Sequence, residues 1–591
     1  MAQTTNDERL REREKLDMRI AYVVAAFVLA YAFVALLDRI GAPETFVEGL
    51  SPYLTVVGLG VLGALLHSMR VSHYYAAGRA VPAEYAGFAI AALVAGLVLP
   101  FAAQFASASW LLGLPCGVLV GVALIGFFLG PMLRKTRAFS LSGLLATRFP
   151  SLAPRFGVIA LACVCSELVA LAGQQSAVDI LTGLLGGGRN FAAVLVAFAV
   201  LLVAGPGGLR GTVWTACAAG AIGLVGFAWP VTVLAWRDAA PFSGTSAANW
   251  SEIAAHLQEW GVSSSHVPFG GGVLLALASA LGVAILAPLL APAIATERPE
   301  SARGAGIAAF CWTFVFVWLI AVTIGGATLS LARQGAGQPA ARLPDAVYEA
   351  SAHRLVSICG ARAAEPVAAA RACAAKGLAA GAPLSAADFK PREDFLLTGL
   401  PSLERMGAAV SGLLAAAQIA LALALSAAGL QAFGTALGHE AVFRMRGATD
   451  LTSRRLATTR FALLMIVAAG YLASAHDLFN VKALVALALG LSAAAGAPVV
   501  ALALWSRAGD RDALLGLLGG LFGMTATILA AGSARDLVVV AGAALVGACV
   551  GLAAGVASAL SRPAGASPVA QAFVARVLHG DGDVMEPEKG A

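Results

Sequence analysis

Charge is what this sequence has least of. Only 12% of its 591 residues are Asp, Glu, Lys or Arg, about half the share that a soluble chain carries. Aromatic residues contribute 7%, and the eight cysteines include no CxxC pair and no His/Cys cluster of metal-binding spacing. Each shortage excludes something. A soluble domain of this size would lack polar surface. No nucleophile–base or metal constellation supports a membrane enzyme, and no charged ring or filter motif supports a channel. The net charge is +6, but the basic residues alternate between loops instead of clustering, which excludes a nucleic-acid partner.

What is present is apolar chain: 59% of residues are hydrophobic and mean hydropathy is +0.83. A bilayer core needs about 20 apolar residues per helix. About fourteen segments qualify: 19–38, 52–70, 85–105, 110–133, 156–184, 190–209, 212–236, 269–296, 304–333, 404–437, 458–474, 480–505, 512–533 and 537–560. The fold class is therefore an all-α polytopic membrane protein, with the lipid bilayer as its first partner. Sixty-six glycines suit close helix packing in lipid. The first segment follows a charged leader, 1–18, that has no small-residue cleavage site after it, so it reads as a retained helix. Arg79, Arg134, Lys135, Arg137, Arg210, Arg298, Arg303, Arg444, Arg446, Arg454, Arg455, Arg507 and Arg511 fall on alternate loops, while Asp38, Glu44, Glu48, Glu252 and Glu259 fall opposite. By the positive-inside pattern both termini are cytoplasmic, in the inner (plasma) membrane.

The segments organise themselves. Two transmembrane helices and a lead-in loop (19–84) precede five helices (85–236), an extracytoplasmic loop (237–267) and five further helices (268–505). The second set contains a long extracytoplasmic loop, 334–403, holding Cys359 and Cys373, for which a disulfide is one possibility in an oxidising compartment. Two C-terminal helices (506–560) and a cytoplasmic tail (561–591) follow. Each set of five opens with a small-residue helix interrupted in mid-length, by Pro100 in the first and by Gly282 and Pro288 in the second. Inverted-repeat transporters place such broken helices at the midplane, where freed backbone groups coordinate solute and ion. Ordinary proline kinks are the alternative.

Several motifs resemble the sodium/solute symporter family, and most closely its acetate/monocarboxylate permease branch. Ser72 to Ala92, with His73-Tyr74-Tyr75-Ala76-Ala77-Gly78-Arg79, resembles that family's lead-in to the first core helix. Gly130 to Ser140 and on through Pro150 resembles its basic loop, and Gly207-Gly208-Leu209-Arg210-Gly211-Thr212-Val213-Trp214 its turn into the fifth core helix. Ser426-Ala427-Ala428-Gly429-Leu430 to His439-Glu440, and Asn480 to Trp505 with Pro498, are similar to the permease branch. The resemblance covers roughly 52–560. It implies a five-plus-five inverted-repeat, leucine-transporter-type core with extra N- and C-terminal helices, and cation-driven uptake of a small solute, a monocarboxylate such as acetate.

By family position, the cation site falls on the carbonyls of Ala92, Ala95 and Leu423, with side chains at Ser426 and Ala427. Here Ala427 stands where the family has a hydroxyl, and Ala86 to Phe101 contains no polar side chain at all. A weakened or absent sodium site is the physical consequence, which leaves sodium or a proton as the coupling ion and no cofactor beyond it. The sixth core helix keeps Pro288 but lacks the branch's His and Arg, so a carboxylate would rely on helix N-terminal amides at the break around Gly282 and Pro288.

Glu167 lies near the middle of segment 156–184, where a carboxylate is costly and is a candidate proton carrier unless it pairs with a polar neighbour. Gln174 and Gln175 are substrate-pocket candidates, Gln174 being two turns from Glu167 on nearly the same face, unless they only bond a neighbouring helix. Asp179 reads as solvated, Gln104, Ser107 and Ser109 as an outer vestibule or a helix end, and His439 and Glu440 as a cap or salt bridge. The expectation is a secondary transporter working by alternating access. The alternative is a non-transporting sensor that keeps the fold and binds a small membrane or signalling partner.

Overall fold

The computed structural model describes residues 2–106, 113–185, 188–238, 246–262, 269–353, 355–379, 381–443, 452–532, 536–562 and 568–579. Ser107, Ser109, Arg444, Arg446 and the end of the 561–591 tail lie outside the described residues. Twelve described helices are long and apolar enough to cross a bilayer, and one bent pair, α11 (Phe269–Ile285) with α12 (Ala287–Ile294), adds a thirteenth span. One of the twelve, in α9 (Arg189–Asp238), runs for 48 residues. A straight helix of that length would measure roughly 72 Å, over twice the hydrocarbon thickness. It breaks at Gly208, where φ is 56° and ψ is −145°, so its halves are separate spans. That brings the count to the fourteen that the apolar segments indicate. Only glycine fits the break: a Cβ at Gly208 would sit 2.5 Å from the Tyr74 carbonyl and 2.7 Å from its ring.

α1 (Ala2–Arg39) and α2 (Glu44–Leu65) come first. α1 sits at the periphery, with 6% of its apolar window buried, and is held to α2 by Tyr31 Oη and Thr55 Oγ1 at 2.5 Å. The short α3 (Val71–Ala76) leads into the first set of five: α4 (Ala83–Val98), α5 (Leu114–Leu124) with α6 (Gly130–Lys135), α8 (Leu152–Leu185) and the two halves of α9. The second set is α11–α12, α13 (Pro299–Gly335), α18 (Ala408–Gly434), α19 (Thr452–Ala475) and α20 (Val481–Leu491) continued by α21 (Ala497–Ala503). The centre of the molecule is α18, buried along nearly its whole length and packed on α9, α8, α2 and α4. Small residues let these backbones close up: Gly96 of α4 faces the Leu421 carbonyl, and Gly173 of α8 the Ala422 carbonyl.

Loop 336–407 forms an ordered cap over one face. It contains α14 (Asp345–Ala352), α15 (Pro366–Ala375), α16 (Glu393–Thr398), α17 (Leu400–Leu403) and an antiparallel pair, β1 (Val356–Ile358) with β2 (Phe389–Pro391). A Cys359–Cys373 disulfide closes it, realising the pairing left open by the sequence. Asp388 fastens the cap internally, accepting from Ser385 and Lys376 at 2.8 Å each. Trp260, just after α10 (Ser246–Glu259), donates its indole N–H to the Ala386 carbonyl at 2.8 Å and joins the other long loop to the cap.

On the opposite, arginine-rich face lies α7 (Leu141–Arg148), capped by Ser140. The hairpin α22 (Asp510–Ala531) and α23 (Leu537–Leu560) closes the bundle. α24 (Pro568–His579) then docks beneath α6 and α7, with Lys135 Nζ on the Val577 carbonyl at 3.1 Å and Arg148 over the Phe573 ring at 6.0 Å.

Candidate solute and ion site

Three helices that open or close a repeat are discontinuous, though not quite where the sequence pointed. α4 is not interrupted in mid-length. It runs intact past Ala92 and Ala95 to Val98 and then tightens into a 3-10 turn, Leu99–Phe105, with Pro100 as its second residue. Proline has no N–H, so the Gly96 carbonyl loses its helical donor. In the second set, α11 ends at Ile285, Leu286 is extended, and α12 restarts at Ala287 with a 48° bend. Pro288 removes the donor for the Ala284 carbonyl. Gly282 lies within α11, one turn before the break. A Cβ there would stand 2.6 Å from the Leu489 carbonyl, so the residue serves close packing on α20. A third irregularity, the π-helical turn Ser492–Gly496 before Pro498, was not read from the sequence; such turns recur at functional sites.

The α11–α12 break borders two small cavities of about 40 and 20 Å³, and the Ser492–Gly496 turn borders the larger; no residue of α4 or its 3-10 turn lines either. They adjoin, sharing Leu141, Ser142, Ala162 and Ala287. Ile285, Cys165 and Ser492 line the larger, with the Cys165 thiol hydrogen-bonded to Ser492. Tyr75 and Gln431 line the smaller. No charged residue lines either one. Gln431 donates to the Tyr74 carbonyl at 3.1 Å, while its own side-chain oxygen is buried without a partner. Sequence reasoning missed Ser142, Cys165, Gln431 and Ser492. Only Ser492 carried a usable signal, a hydroxyl in a run of small residues just ahead of Pro498. A larger cavity of about 160 Å³ lies at the cap face between α10 and α13, walled by Trp250, Ser330, Gln334 and Glu404, away from the broken helices.

The family-position cation residues are all buried. α4, α18 and the second half of α9 converge there: Gly96 meets Leu421 and Leu425, Gly223 meets Leu421, and Gly220 meets the Ala92 methyl. The Ala95 carbonyl accepts from the Leu99 N–H. Ser426 turns its hydroxyl to α8, donating to the Ala170 carbonyl at 2.9 Å. Leu423 and Ala427 offer only backbone oxygens. The side chains where α4 meets α18 are thus Leu and Ala.

On α8, Val158, Leu161, Ala162 and Cys165 line the cavity. Gln174 and Leu171 instead meet Gly470 of α19, and Glu167, one turn before Leu171, shares their face. Glu167 is half-buried, with Oε2 enclosed and unpartnered. Gln175 donates to Asp477 at 2.5 Å. Asp179 is not simply solvated: it pairs with Arg189 at 2.7 Å, and Arg189 reaches Asp477 at 3.1 Å. His439 and Glu440 are buried among packed side chains. Arg455 meets His439 Nδ1 and lies 4.8 Å over the Tyr75 ring and 4.0 Å over Phe443. Ser140 donates to Glu440 at 3.3 Å.

The fold is two sets of five helices related as inverted repeats, a leucine-transporter-type core with further helices at both ends. A Na+-coupled sialic acid symporter, solved substrate-bound and outward-open, superposes with a TM-score of 0.62 over 89% of this chain and 99% of its own, at 14% identity. Mhp1, a nucleobase-cation-symport-1 family transporter solved closed with bromovinylhydantoin, gives a TM-score of 0.45 over 86% of this chain and 99% of its own, at 13% identity. An uncharacterised symporter from Cupriavidus necator is 26% identical over 211 residues, which are 34% of this chain and 31% of that protein. The match thus spans about a third of that relative's length. No family model matches the chain.

Proposed function

We propose that this protein is a secondary transporter that carries a small solute, a monocarboxylate such as acetate, by alternating access across the inner membrane, with both termini and the arginine-rich face in the cytoplasm. The observation that carries the reading is the pair of cavities at the α11–α12 break, lined by Ser142, Cys165 and Ser492 and by no charge. Room so small suits a solute of few atoms. At the restart of α12 the Ala287 amide is the donor left for a carboxylate, since Pro288 has no N–H and the Leu289 and Leu290 amides donate to the Leu286 carbonyl. The Na+-coupled sialic acid symporter and the uncharacterised Cupriavidus necator symporter that this chain resembles support coupled transport.

For the coupling ion we favour a proton. A sodium site at the family positions would have the Ser426 oxygen as its one side-chain ligand, the rest being backbone carbonyls. Glu167 is the group in the bundle suited to carry a proton, with an enclosed oxygen that no neighbour satisfies. Uptake of labelled acetate into proteoliposomes, driven separately by sodium and by proton gradients, tests both parts. Proton-driven uptake supports the reading. Sodium-driven uptake overturns the choice of ion, and saturable binding without flux under either gradient replaces transport with the sensor reading.

A further inference from the structure

We propose that Glu393 is the outer gate residue, a single carboxylate that locks the cap to both repeats and must let go before the site can open to the cap face. The proposal rests on the transport reading above. Glu393 opens α16 in the cap, and its side chain is 9% exposed. Its two oxygens are divided between the repeats. Oε1 accepts the Ala103 N–H at 2.8 Å, from the 3-10 turn that ends the first helix of the first repeat. Oε2 pairs with Lys482 Nζ, in the opening turn of the last helix of the second repeat. Asn480 caps that helix, its side-chain oxygen accepting from the Lys482 and Ala483 amides, so the lysine is presented from a fixed helix start.

The partners are the parts that have to separate. Ala103 lies within the 3-10 turn, beyond Pro100, and Lys482 lies in α20 ahead of the Ser492–Gly496 π-turn, so each contact lies on the cap side of a backbone break, at Pro100 or at the π-turn, that can act as a hinge. The backbone behind Glu393 is anchored within the cap, where Arg392 N–H donates to the Leu355 carbonyl at 2.7 Å. Burial raises the Glu393 pKa, and Lys482 and the Ala103 amide oppose that shift. A buried carboxylate that loses its cation is left uncompensated, so the two contacts release together or not at all. A second ion-paired junction on this face, Asp179, Arg189 and Asp477, joins α8, α9 and the α19–α20 turn, and its paired residues lie outside the cap.

Accessibility in proteoliposomes tests this without knowing the solute. Ala102, fully buried beneath the junction, is replaced by Cys, and labelling by a membrane-impermeant maleimide is compared with the parent lacking that cysteine. Glu393→Gln keeps an acceptor for Ala103 but loses the charge, and Lys482→Met removes the cation from a half-exposed position. Each is expected to raise the labelling rate about tenfold, within the range of coupling energies between contacting residues. The double variant is expected to be no faster than either single one, and Lys482→Arg is expected to keep the parental rate. Parental labelling in Glu393→Gln, or effects that multiply in the double variant, would overturn the proposal. Because no transport is measured, this result stands or falls apart from the acetate assay.

Discussion

Tyr75 Oη lies 2.8 Å from Thr459 Oγ1, across 384 residues of sequence. The contact ties the segment that leads into the first repeat to α19 of the second, on the face opposite the cap. Burial pushes the Tyr75 phenol above its usual range, so it acts here as a neutral hydrogen-bonding group. Tyr75→Phe should cost about 1 kcal/mol, the net value of one such bond, read as a lower Tm. Arg455→Met should cost more, because it removes the cation stacked on Tyr75 and Phe443 together with its contact to His439. Both variants should speed labelling of a cysteine placed at Ser142, which lines the cavity on this side.

Gly208→Ala tests the break in α9. The positive φ and the close Tyr74 carbonyl both oppose a methyl group. A loss of roughly 1–3 kcal/mol is expected, the usual cost of a strained backbone position, measured as a drop in Tm in detergent.

Fourteen spans and the helix break beside Pro288 were legible because length, apolarity and the missing proline N–H are properties of the chain itself. The division of α9 was legible as well, as the gap between segments 190–209 and 212–236, although the break itself falls at Gly208, just inside the first. The cavity lining was not. Ser142 and Cys165 look like any small residues in an apolar run, and only the packing of α7 and α8 against the α11–α12 break turns them inward. Gln174 illustrates the converse. Its polarity is plain in the sequence, but whether it faces the cavity or Gly470 of α19 depends on helix rotation, which a helix apolar on nearly every side does not encode. Gly282 was read as part of a break when it makes room for α20, since both uses call for the same residue.

Pro288→Ala should heal the α11–α12 break by returning an N–H donor to the Ala284 carbonyl. Proline in a helix interior costs about 3 kcal/mol, but here it occupies a first-turn position that tolerates it, so Tm should hold or rise. Uptake should fall by about tenfold or more, because a continuous helix offers no free backbone groups to a solute. Stability gained together with activity lost is the outcome that assigns the break to function.

The cap should be weakened by acid and by reduction. Burial alone would raise the Asp388 pKa, but hydrogen bonds from Lys376 and Ser385 outweigh it and hold the carboxyl below its ordinary range. A depressed carboxyl adds stability above its unfolded pKa of about 4 and loses it as pH falls through the folded value. Protection of the cap from protease should therefore drop below about pH 4, and Asp388→Asn should remove that dependence. Replacing Cys359 and Cys373 with Ser should release about 3 kcal/mol of constraint for a closed loop of this size, with cleavage of the cap appearing at neutral pH.

Glu167 separates coupling from binding. It shares a face of α8 with Leu171 and Gln174, the residues that meet Gly470, and is absent from the walls of both cavities. Removing its charge should therefore leave the solute's surroundings intact. In Glu167→Gln, proton-driven acetate uptake should fall at least tenfold in maximal rate while KM stays within about twofold, the pattern of a group that acts in the cycle without touching the solute. Exchange of labelled acetate between equal concentrations, which needs no net proton movement, should persist. A raised KM would put Glu167 in the solute's path, against the orientation of α8. Unchanged proton-driven uptake would remove it from coupling altogether and return the ion to the backbone oxygens of Ala92, Ala95 and Leu423 with the Ser426 hydroxyl.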